Sequence, residues 1–218
     1  MMKNQKTIAV VNLKGGCGRS TLSTNLAGEL AKRASTALID TDLPQGTASS
    51  WFALRDASGR SEGLSLDTAT NHQELIAKVS ERKEKYIVLD SPPRLAEIAR
   101  AMLMLSDLVL IPVATSAAEV WATGDLVELL NEARKVRPIE ARLVWARHRA
   151  NTKLAKELIE KVEGILQIPV LKTPMGLRVG YQEALGLGLT GAEVGDANAK
   201  SEVVSLTAEV VSLLEKKK

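Results

Sequence analysis

Hydrophobic and amphipathic stretches alternate along the whole chain. The apolar runs are short and bounded by turn residues, as in buried strands, and the segments between them have the length of helices. The apolar runs lie at 7–13, 36–40, 64–67, 86–90, 107–113, 141–146 and 168–172. The helix-length segments lie near 20–33, 71–84, 94–105, 117–136, 152–165, 179–187 and 198–216. This alternation predicts an α/β fold, a doubly wound and mostly parallel sheet with helices on both faces.

The composition is that of a globular chain without a membrane span. The 218 residues are 45% hydrophobic, and no uninterrupted apolar run reaches the roughly 18 residues that cross a bilayer. The N-terminal residues lack a long apolar region with a cleavage site, so they predict no secretory signal. Cys17 is the only cysteine, which excludes an intramolecular disulfide and a four-cysteine metal site. We therefore expect one cytoplasmic domain over residues 1–218.

The most informative segment is 8–21, which reads IAVVNLKGGCGRST. It is an apolar strand that runs into a glycine-rich turn and then into the start of a helix. Gly15, Gly16 and Gly18 have no Cβ, so the backbone can take positive φ and turn its N–H groups toward an anionic oxygen. The hydroxyl of Ser20 is then placed to bind Mg²⁺. The segment predicts a phosphate-binding loop of the P-loop NTPase type.

The loop departs from the strict G-x-x-x-x-G-K-[ST] pattern, with Leu13 in place of the first glycine and Arg19 in place of the lysine. The lysine before the double glycine, Lys14, resembles the deviant Walker A motif K-G-G-x-x-K-[ST] of the ParA/MinD superfamily of dimerising ATPases. The resemblance implies ATP contacts from Lys14, Gly15, Gly16, Cys17, Gly18, Arg19, Ser20 and Thr21. It also implies that Lys14 is catalytic and reaches the phosphates bound by a second subunit. Arg19 keeps the positive charge but predicts slow hydrolysis, because a guanidinium is larger and more rigid than an ammonium.

Three aspartates end predicted strands, Asp40 and Asp42 after one and Asp90 after another. Ligands bind outside the carboxyl ends of parallel strands, so these side chains are expected to face the phosphates and, with Ser20, to hold Mg²⁺. Asp90 resembles a Walker B aspartate. The segment DTDLPQG resembles the family's D-x-D-P-Q-G, whose second aspartate, here Asp42, orients the attacking water; Leu43 is an insertion in that segment. Each aspartate alone could instead cap the following helix.

The resemblance extends into the C-terminal half. Residues 106–130 resemble the ParA stretch in which a strand leads into a long helix, with Glu119 where an aspartate is common. Residues 173–190 resemble the family's Arg-x-x-Tyr helix and glycine turn, with Arg178 and Tyr181 matching, although Tyr181 could equally be a packing residue. The strand ends nearby are the predicted walls for an adenine base. The candidate adenine contacts are Arg147, Pro174 and Met175.

Basic residues crowd the C-terminal half, although the net charge is only +3. Such a cluster is typical of a face that binds the phosphate backbone of DNA without reading bases. A solvated helix surface is the alternative. The resemblance favours DNA, because ParA dimers bind chromosomal DNA without sequence preference. The candidate DNA contacts are Arg147, Arg149, Lys153 and Arg178.

The C-terminal segment 202–218 is a candidate for a membrane-binding helix. MinD inserts a C-terminal amphipathic helix into lipid, and this segment does have an apolar stripe. Its opposite face carries Glu202 and Glu209 in place of lysine or arginine, and it has no aromatic anchor. We therefore expect the helix to pack on the core and the protein to bind no membrane.

The family resemblance implies a ParA-like ATPase of the small class, which lacks an N-terminal helix-turn-helix domain. Its cofactors would be ATP and Mg²⁺, and its partners a second copy of the chain, non-specific DNA and a ParB-like or McdB-like activator protein. It would be cytoplasmic and nucleoid-associated. Its cargo would be a plasmid, a chromosome locus, a carboxysome or a protein cluster. A MinD-like membrane-associated regulator and a nucleotide-binding scaffold with little hydrolysis remain alternatives.

Overall fold

The computed structural model describes residues 5–43, 45–148 and 153–216, apart from the side chains of residues 153–156 and 159. The strands are β1 (Lys6–Val10), β2 (Thr36–Asp40), β3 (Leu64–Thr68), β4 (Tyr86–Asp90), β5 (Leu108–Val113) and β6 (Glu140–Trp145). They form one six-stranded sheet in the order β3-β2-β4-β1-β5-β6, and all neighbours are parallel. The predicted doubly wound parallel sheet is confirmed.

Helices cover both faces of the sheet. They are α1 (Arg19–Ala31), α2 (Thr47–Ala57), α3 (His72–Glu81), α4 (Ala96–Leu105), α5 (Ala117–Ala122), α6 (Gly124–Arg134), α7 (Lys153–Leu166), α8 (Val179–Gly186) and α9 (Ala197–Glu215). One core lies between the sheet and α3, α4, α6 and α7. The other lies between the sheet and α1, α2, α8 and α9. Strands buried on both faces carry near-continuous apolar runs, which is why β2, β4 and β5 were recognisable in the sequence.

The register of the central strands brings their carboxyl ends to one edge. Val10 at the end of β1 is aligned with Asp90 at the end of β4, and with Leu110 of β5 on its other side. Asp40 at the end of β2 is aligned with the same Asp90. The loops that follow β1, β2 and β4 therefore emerge side by side, and the site is built from them.

The apolar run at 168–172 forms no strand of the sheet, contrary to the prediction. Val170 makes an isolated parallel bridge to Leu143, supported by hydrogen bonds from Leu143 N to Pro169 O (2.9 Å) and from Leu171 N to Leu143 O (2.8 Å). Proline has no N–H and cannot donate to a ladder, which limits pairing along this edge.

The helix predicted over 117–136 is divided into α5 and α6 at Thr123. The Thr123 hydroxyl donates to the carbonyl of Glu119 over 2.9 Å, and Gly124 begins the next helix. A hydroxyl bonded to the carbonyl four residues earlier bends helices, and glycine has low helix propensity. The division leaves α5 as a separate short helix beside the site.

The C-terminal helix α9 packs on the core, as predicted. Val203, Leu206, Val210 and Leu214 of its apolar stripe are all buried, and they belong to the core that contains α1. Val204, beside the stripe, is 40% exposed, so most but not all of the apolar side chains of α9 pack on protein. Within the described part of the chain, no helix has the length and apolarity to span a membrane.

Candidate functional site

The loop between β1 and α1 wraps around an open space in front of α1. Gly16 and Gly18 have φ angles of 75° and 94°, in the left-handed region that favours glycine. Gly15 lies outside that region, so two of the three predicted glycines adopt positive φ. Gly18 is the N-cap of α1, and no side chain caps this end. The first N–H groups of α1 therefore stay available to an anion, which the positive end of the helix dipole also favours.

The Arg19 guanidinium turns back beneath this loop and binds backbone carbonyls. Its Nε donates to Ser91 O over 2.8 Å, and its Nη1 donates to Asn12 O over 2.8 Å and to Lys14 O. Its Nη2 lies 4.0 Å from Asp42 Oδ2. The residue is only 6% exposed. Arg19 thus clamps the β1–α1 loop to the β4–α4 loop and presents Nη2 toward Asp42.

The Lys14 side chain points to a different element. Its Nζ lies 2.6 Å from Glu119 Oε1 at the start of α5. Glu119 is oriented by the α5 N-cap, since its N–H donates to the hydroxyl of Ser116 over 3.3 Å. The other carboxylate oxygen of Glu119 is buried and has no hydrogen-bond partner among the described residues. In this structure Lys14 is held beside its own α5, partly exposed, with the side chain 36% accessible.

Asp90, at the end of β4, is completely buried. Its Oδ1 accepts a hydrogen bond from the Ser23 hydroxyl over 2.9 Å. Its Oδ2 is buried with no hydrogen-bond partner in the described part of the molecule. Burial raises the pKa of Asp90 to about 7, against the lowering effect of the Ser20 and Ser23 hydroxyls and of the Arg19 charge.

This arrangement fits the predicted Mg²⁺. A buried carboxylate oxygen without a donor, close to the Ser20 hydroxyl in the first turn of α1, provides hard oxygen ligands for a small divalent cation. The described residues contain no group of three or more His, Cys, Asp or Glu side chains that could hold a metal. A cation here would depend on the Ser20 hydroxyl, water and phosphate oxygens, as Mg²⁺ commonly does.

Asp40 and Asp42 have different environments. Asp40 is completely buried, and its carboxylate accepts hydrogen bonds from Asp42 N (2.9 Å) and from Ser49 N and Oγ (2.9 and 2.7 Å). These contacts favour a role in shaping the β2–α2 loop, and metal ligation by Asp40 stays a prediction. Asp42 lies on the pocket described below. The pKa of Asp42 is raised above its ordinary value, because burial and the nearby Asp40 charge together outweigh the lowering effect of the Arg19 charge.

A pocket of about 510 Å³ opens in front of the loop, within the usual range of small-molecule sites. Its first end is formed by the β1–α1 loop, the start of α1 and Asp42. Its second end is formed by residues that follow β6 and by α8. The residues that line it are Gly15, Gly16, Gly18, Arg19, Ser20, Thr21, Asp42, Gln45, Thr47, Pro93, Ala146, Arg147, Met175, Gly176, Leu177, Arg178, Tyr181, Gln182 and Leu185. The pocket joins an end formed by the uncapped start of α1 to a partly apolar end.

Two of the three predicted adenine contacts lie on this pocket. Arg147 and Met175 line its second end, whereas Pro174 does not. Arg147 has a φ of 53°, a conformation that is uncommon for residues other than glycine. Its Nη1 donates to Gly16 O over 2.8 Å. Arg147 therefore connects the segment after β6 to the phosphate-binding loop, across the mouth of the pocket.

The predicted DNA contacts are only partly described. Arg149 lies outside the described residues, as does the side chain of Lys153. Arg147 and Arg178 both line the pocket. Arg178 is paired with Glu202 of α9, with its Nε 3.0 Å from Oε2 and its Nη2 2.5 Å from Oε1. These contacts favour a pocket role for Arg178.

Cys17 behaves as a buried loop residue. Its thiol donates to Lys14 O over 3.3 Å, and burial raises its pKa, which disfavours the nucleophilic thiolate. Cys17 is not among the residues that line the pocket. The structure therefore supports the interpretation of Cys17 as a small loop residue.

Several pocket features were not predicted from the sequence. Gln45 and Thr47 line the pocket from the β2–α2 loop, and Gln182 lines it from α8. Gln45 belongs to the recognised DTDLPQG segment, which was a usable signal. The pairing of Lys14 with Glu119 and the contacts of Glu202 join residues far apart in the chain. No local pattern encodes such pairs.

The family model for the CobQ/CobB/MinD/ParA nucleotide-binding domain matches residues 8–190. A curated relative is the maintenance of carboxysome distribution protein A of Halothiobacillus neapolitanus, 32% identical over 211 residues, which cover 94% of this chain and 96% of the relative. Another is the probable plasmid-partitioning protein ParA of Thermus thermophilus, 25% identical over 241 residues, which cover 89% of this chain and 74% of the relative.

Solved structures have the same fold. An ATP complex of a McdA variant from Cyanothece superposes with a TM-score of 0.77 at 18% identity, covering 96% of this chain and 97% of the other. The septum site-determining protein MinD of Pyrococcus horikoshii, complexed with Mg-ADP, superposes with a TM-score of 0.75 at 16% identity, covering 98% of this chain and 99% of the other. At these identities the likeness concerns the fold.

Proposed function

The chain belongs to the family of the CobQ/CobB/MinD/ParA nucleotide-binding domain, and on that premise we propose that it is a ParA-like positioning ATPase. It binds ATP with Mg²⁺, forms a face-to-face dimer in the ATP state, binds DNA without sequence preference and hydrolyses ATP slowly. A ParB-like or McdB-like protein stimulates that hydrolysis. The names of the relatives from Halothiobacillus neapolitanus and Thermus thermophilus make a carboxysome and a plasmid the first cargoes to test.

The observation that carries this proposal is the pocket that begins at an uncapped helix N-terminus. Its first end presents the N–H groups after Gly18, the Ser20 hydroxyl and the Asp42 carboxylate to one space. Backbone N–H groups and a helix dipole bind phosphate. The second end has the apolar side chains of Met175 and Leu185, which suit a purine ring.

The chain's own residues supply the chemistry of hydrolysis. Asp42 lies at the phosphate end, where its carboxylate can orient and accept a proton from an attacking water. Bound Mg²⁺ would neutralise charge on the phosphates, with Ser20 and Asp90 holding it directly or through water. Arg19 supplies a positive charge beneath the loop, but hydrogen bonds to the carbonyls of Ser91 and Asn12 restrain its guanidinium there. That restraint supports slow turnover.

The position of Lys14 supports action across a dimer. Its side chain is absent from the residues lining its own pocket and lies against Glu119, partly exposed. To reach a nucleotide in a second subunit, Lys14 must exchange the Glu119 carboxylate for phosphate oxygens. The Glu119 side chain is only 18% exposed, so phosphate contacts in the dimer must offset the cost of leaving this carboxylate without its cation.

The experiment that tests the proposal measures dimerisation and nucleotide binding separately. Wild type and Lys14→Ala are compared by light scattering with and without ATP·Mg²⁺, and by calorimetric ATP titration. We expect the variant to bind ATP with its affinity largely intact but to remain monomeric. Lys200→Ala, a change at an exposed lysine of α9, is the matched control and should dimerise normally. An alanine variant that still dimerises with ATP would refute the role of Lys14 across the dimer.

The DNA part of the proposal has its own test. ATP-loaded protein is assayed on two unrelated duplexes at two salt concentrations, beside co-sedimentation with liposomes. We expect similar affinity for both duplexes, dependence on ATP and steep loss with salt, since each neutralised phosphate contributes about 0.9 to the slope. Binding to liposomes in place of DNA would favour the MinD-like alternative. Nucleotide binding without hydrolysis, dimerisation or DNA binding would favour the scaffold.

A further inference from the structure

One carboxylate of α9 accepts hydrogen bonds from three residues of the pocket. Glu202 Oε2 accepts from Gly176 N over 3.0 Å, from Arg178 Nε over 3.0 Å and from the Tyr181 hydroxyl over 2.8 Å. Its Oε1 accepts from Arg178 Nη2 over 2.5 Å. All three donors line the pocket, whereas Glu202 itself does not. Glu202 thus acts on the pocket through other residues.

The wall that Glu202 holds is attached to the sheet on its other side. Met175 N donates to Trp145 O over 2.7 Å, His148 N donates to Met175 O over 2.9 Å, and Leu177 N donates to His148 O over 3.1 Å. The N–H of Gly176 takes no part in this pairing and donates to Glu202 instead. The segment 175–178 is therefore fixed between the extension of β6 and α9.

Glu202 is suited to this task electrostatically. Burial raises its pKa, but the hydrogen bonds from Arg178, Gly176 and Tyr181 lower it by more than burial raises it. The carboxylate is therefore ionised at neutral pH. Burial and the same carboxylate raise the pKa of Tyr181, so the phenol keeps the proton that it donates. The pair with Glu202 also neutralises Arg178 inside the pocket. Hydrogen bonds to an ionised acceptor are stronger and better defined than neutral ones.

Packing around Gly176 makes the same contact tight. A Cβ at this position would lie 3.1 Å from Arg178 Nε and 3.2 Å from Glu202 Oε1. A side chain at position 176 would require the Arg178 and Glu202 side chains to shift by a few tenths of an ångström. The close approach agrees with the hydrogen bond from Gly176 N to Glu202 and shows that the wall packs directly against the carboxylate.

We propose that Glu202 is a positioning residue for the nucleotide base: it fixes the wall formed by Gly176, Arg178 and Tyr181 and so sets the affinity for the base, with little effect on the affinity for the triphosphate. The inference rests on the proposed function, in which the phosphates occupy the opposite end of the pocket. Glu202 lies on the polar face of a helix that the sequence alone presents as solvated.

The test separates the two ends of the nucleotide. Affinities of wild type and Glu202→Gln for ATP·Mg²⁺ and for inorganic tripolyphosphate with Mg²⁺ are measured by calorimetry. We expect the variant to lose about tenfold for ATP, the size of one charged hydrogen bond, and to keep its affinity for tripolyphosphate within about twofold. Glu209→Gln is the matched control. Glu209 also lies on α9, and its carboxylate accepts hydrogen bonds from the backbone N–H groups of Lys172 and Thr173, which do not line the pocket.

Each outcome decides the matter. Unchanged ATP affinity in Glu202→Gln, or equal losses for ATP and tripolyphosphate, would overturn the positioning role. If wild type binds neither compound, the proposed function fails, and the inference falls with it.

If Glu202→Gln does not fold, Tyr181→Phe replaces it, since this change removes one donor and keeps the ring. The variant should bind ATP with about threefold lower affinity and bind tripolyphosphate with unchanged affinity. Equal affinity of wild type and Tyr181→Phe for ATP would then count against the proposal.

Discussion

Arg19→Lys is expected to lower stability and raise hydrolysis at the same time. The guanidinium uses Nε for the Ser91 carbonyl and Nη1 for the carbonyls of Asn12 and Lys14. A lysine has its donors only at the tip of the side chain, so it can replace the Nη1 contacts but not the Nε contact. The carbonyl of Ser91, a residue only 1% exposed, would then lose its charged donor.

The magnitude follows from that single lost contact. A hydrogen bond to a charged group contributes about 1.5–3 kcal/mol, so we expect Arg19→Lys to destabilise the fold by about 2 kcal/mol. For a chain of this length that corresponds to a fall in Tm of about 4–8 °C. The rate should move in the opposite direction and rise at least several-fold. An ammonium on a flexible stem can follow charge between phosphates, and one well-aimed contact contributes on the order of 10²-fold in rate.

Two measurements on the same preparations check this prediction. Thermal melts without nucleotide report stability, and steady-state phosphate release at saturating ATP·Mg²⁺ reports the rate. Arg33→Lys, a change at an exposed arginine just after α1, is the control and should alter neither. Equal hydrolysis rates in Arg19→Lys and wild type would refute the argument about Arg19 and turnover. An unchanged Tm would refute the stabilising role of the backbone contacts.

Three further predictions concern other contacts. Glu119→Gln should release Lys14 and allow ATP-dependent dimerisation, measured by light scattering, at an ATP concentration up to about fivefold lower, the limit for a partly exposed ion pair; an unchanged or higher requirement would contradict this. Glu193 is bound by both Nη atoms of Arg55. Although burial raises its pKa, the Arg55 contacts, the Thr190 N–H and the Lys32 charge together lower it to about 2 from an ordinary value of 4.5. Because the pair is partly exposed and screened by solvent, roughly 1–2 kcal/mol of stability should be present above pH 4.5 and be lost as the pH falls toward 2. Glu193→Gln should flatten the acid limb of a urea-unfolding series; parallel limbs would contradict it. Gly188→Ala should destabilise by at least about 2 kcal/mol in a thermal melt, because Gly188 has a φ of 68° and a Cβ there would lie 2.3 Å from Arg55 N; an unchanged melt would count against this packing.

The sequence predicted the layers of the fold because strand signals in a parallel sheet are local. Fully buried strands such as β2 and β4 are continuous apolar runs bounded by polar residues, and each pattern can be recognised without knowing its partner. The segment at 168–172 has the same apolar signal but forms only one bridge, because Pro169 lacks an N–H and the segment lies at the sheet edge. The apolar residues of this segment predict that it is buried, but whether it forms a strand depends on the hydrogen bonds that the adjacent strand can make with it.

The sequence pattern alone predicted the part of the site whose residues are close together, and the family resemblance added the distant pocket residues Asp42, Arg147 and Met175. The phosphate-binding loop is a single contiguous pattern, and its glycines at positive φ follow from that pattern. The direction of the Arg19 side chain was not predictable, because it depends on carbonyls supplied by another loop. Glu202 illustrates the same limit: with Ser205 and Glu209, at i+3 and i+7, it belongs to the polar face of α9. Its three partners come from a segment more than twenty residues earlier.

The central place of β1 in the sheet has a consequence for synthesis of the protein on the ribosome. β1 precedes both of its sheet neighbours, β4 and β5, which begin at Tyr86 and Leu108. Until the residues up to Asp90 have left the exit tunnel, β1 has no neighbouring strand to pair with, and the glycine loop after it has no supporting sheet. The apolar residues of β1, Ile8 and Val10 among them, remain uncovered in the nascent chain for that time. Chaperones that recognise extended apolar segments are therefore expected to bind β1, the strand that leads into the glycine loop, before β4 has been synthesised.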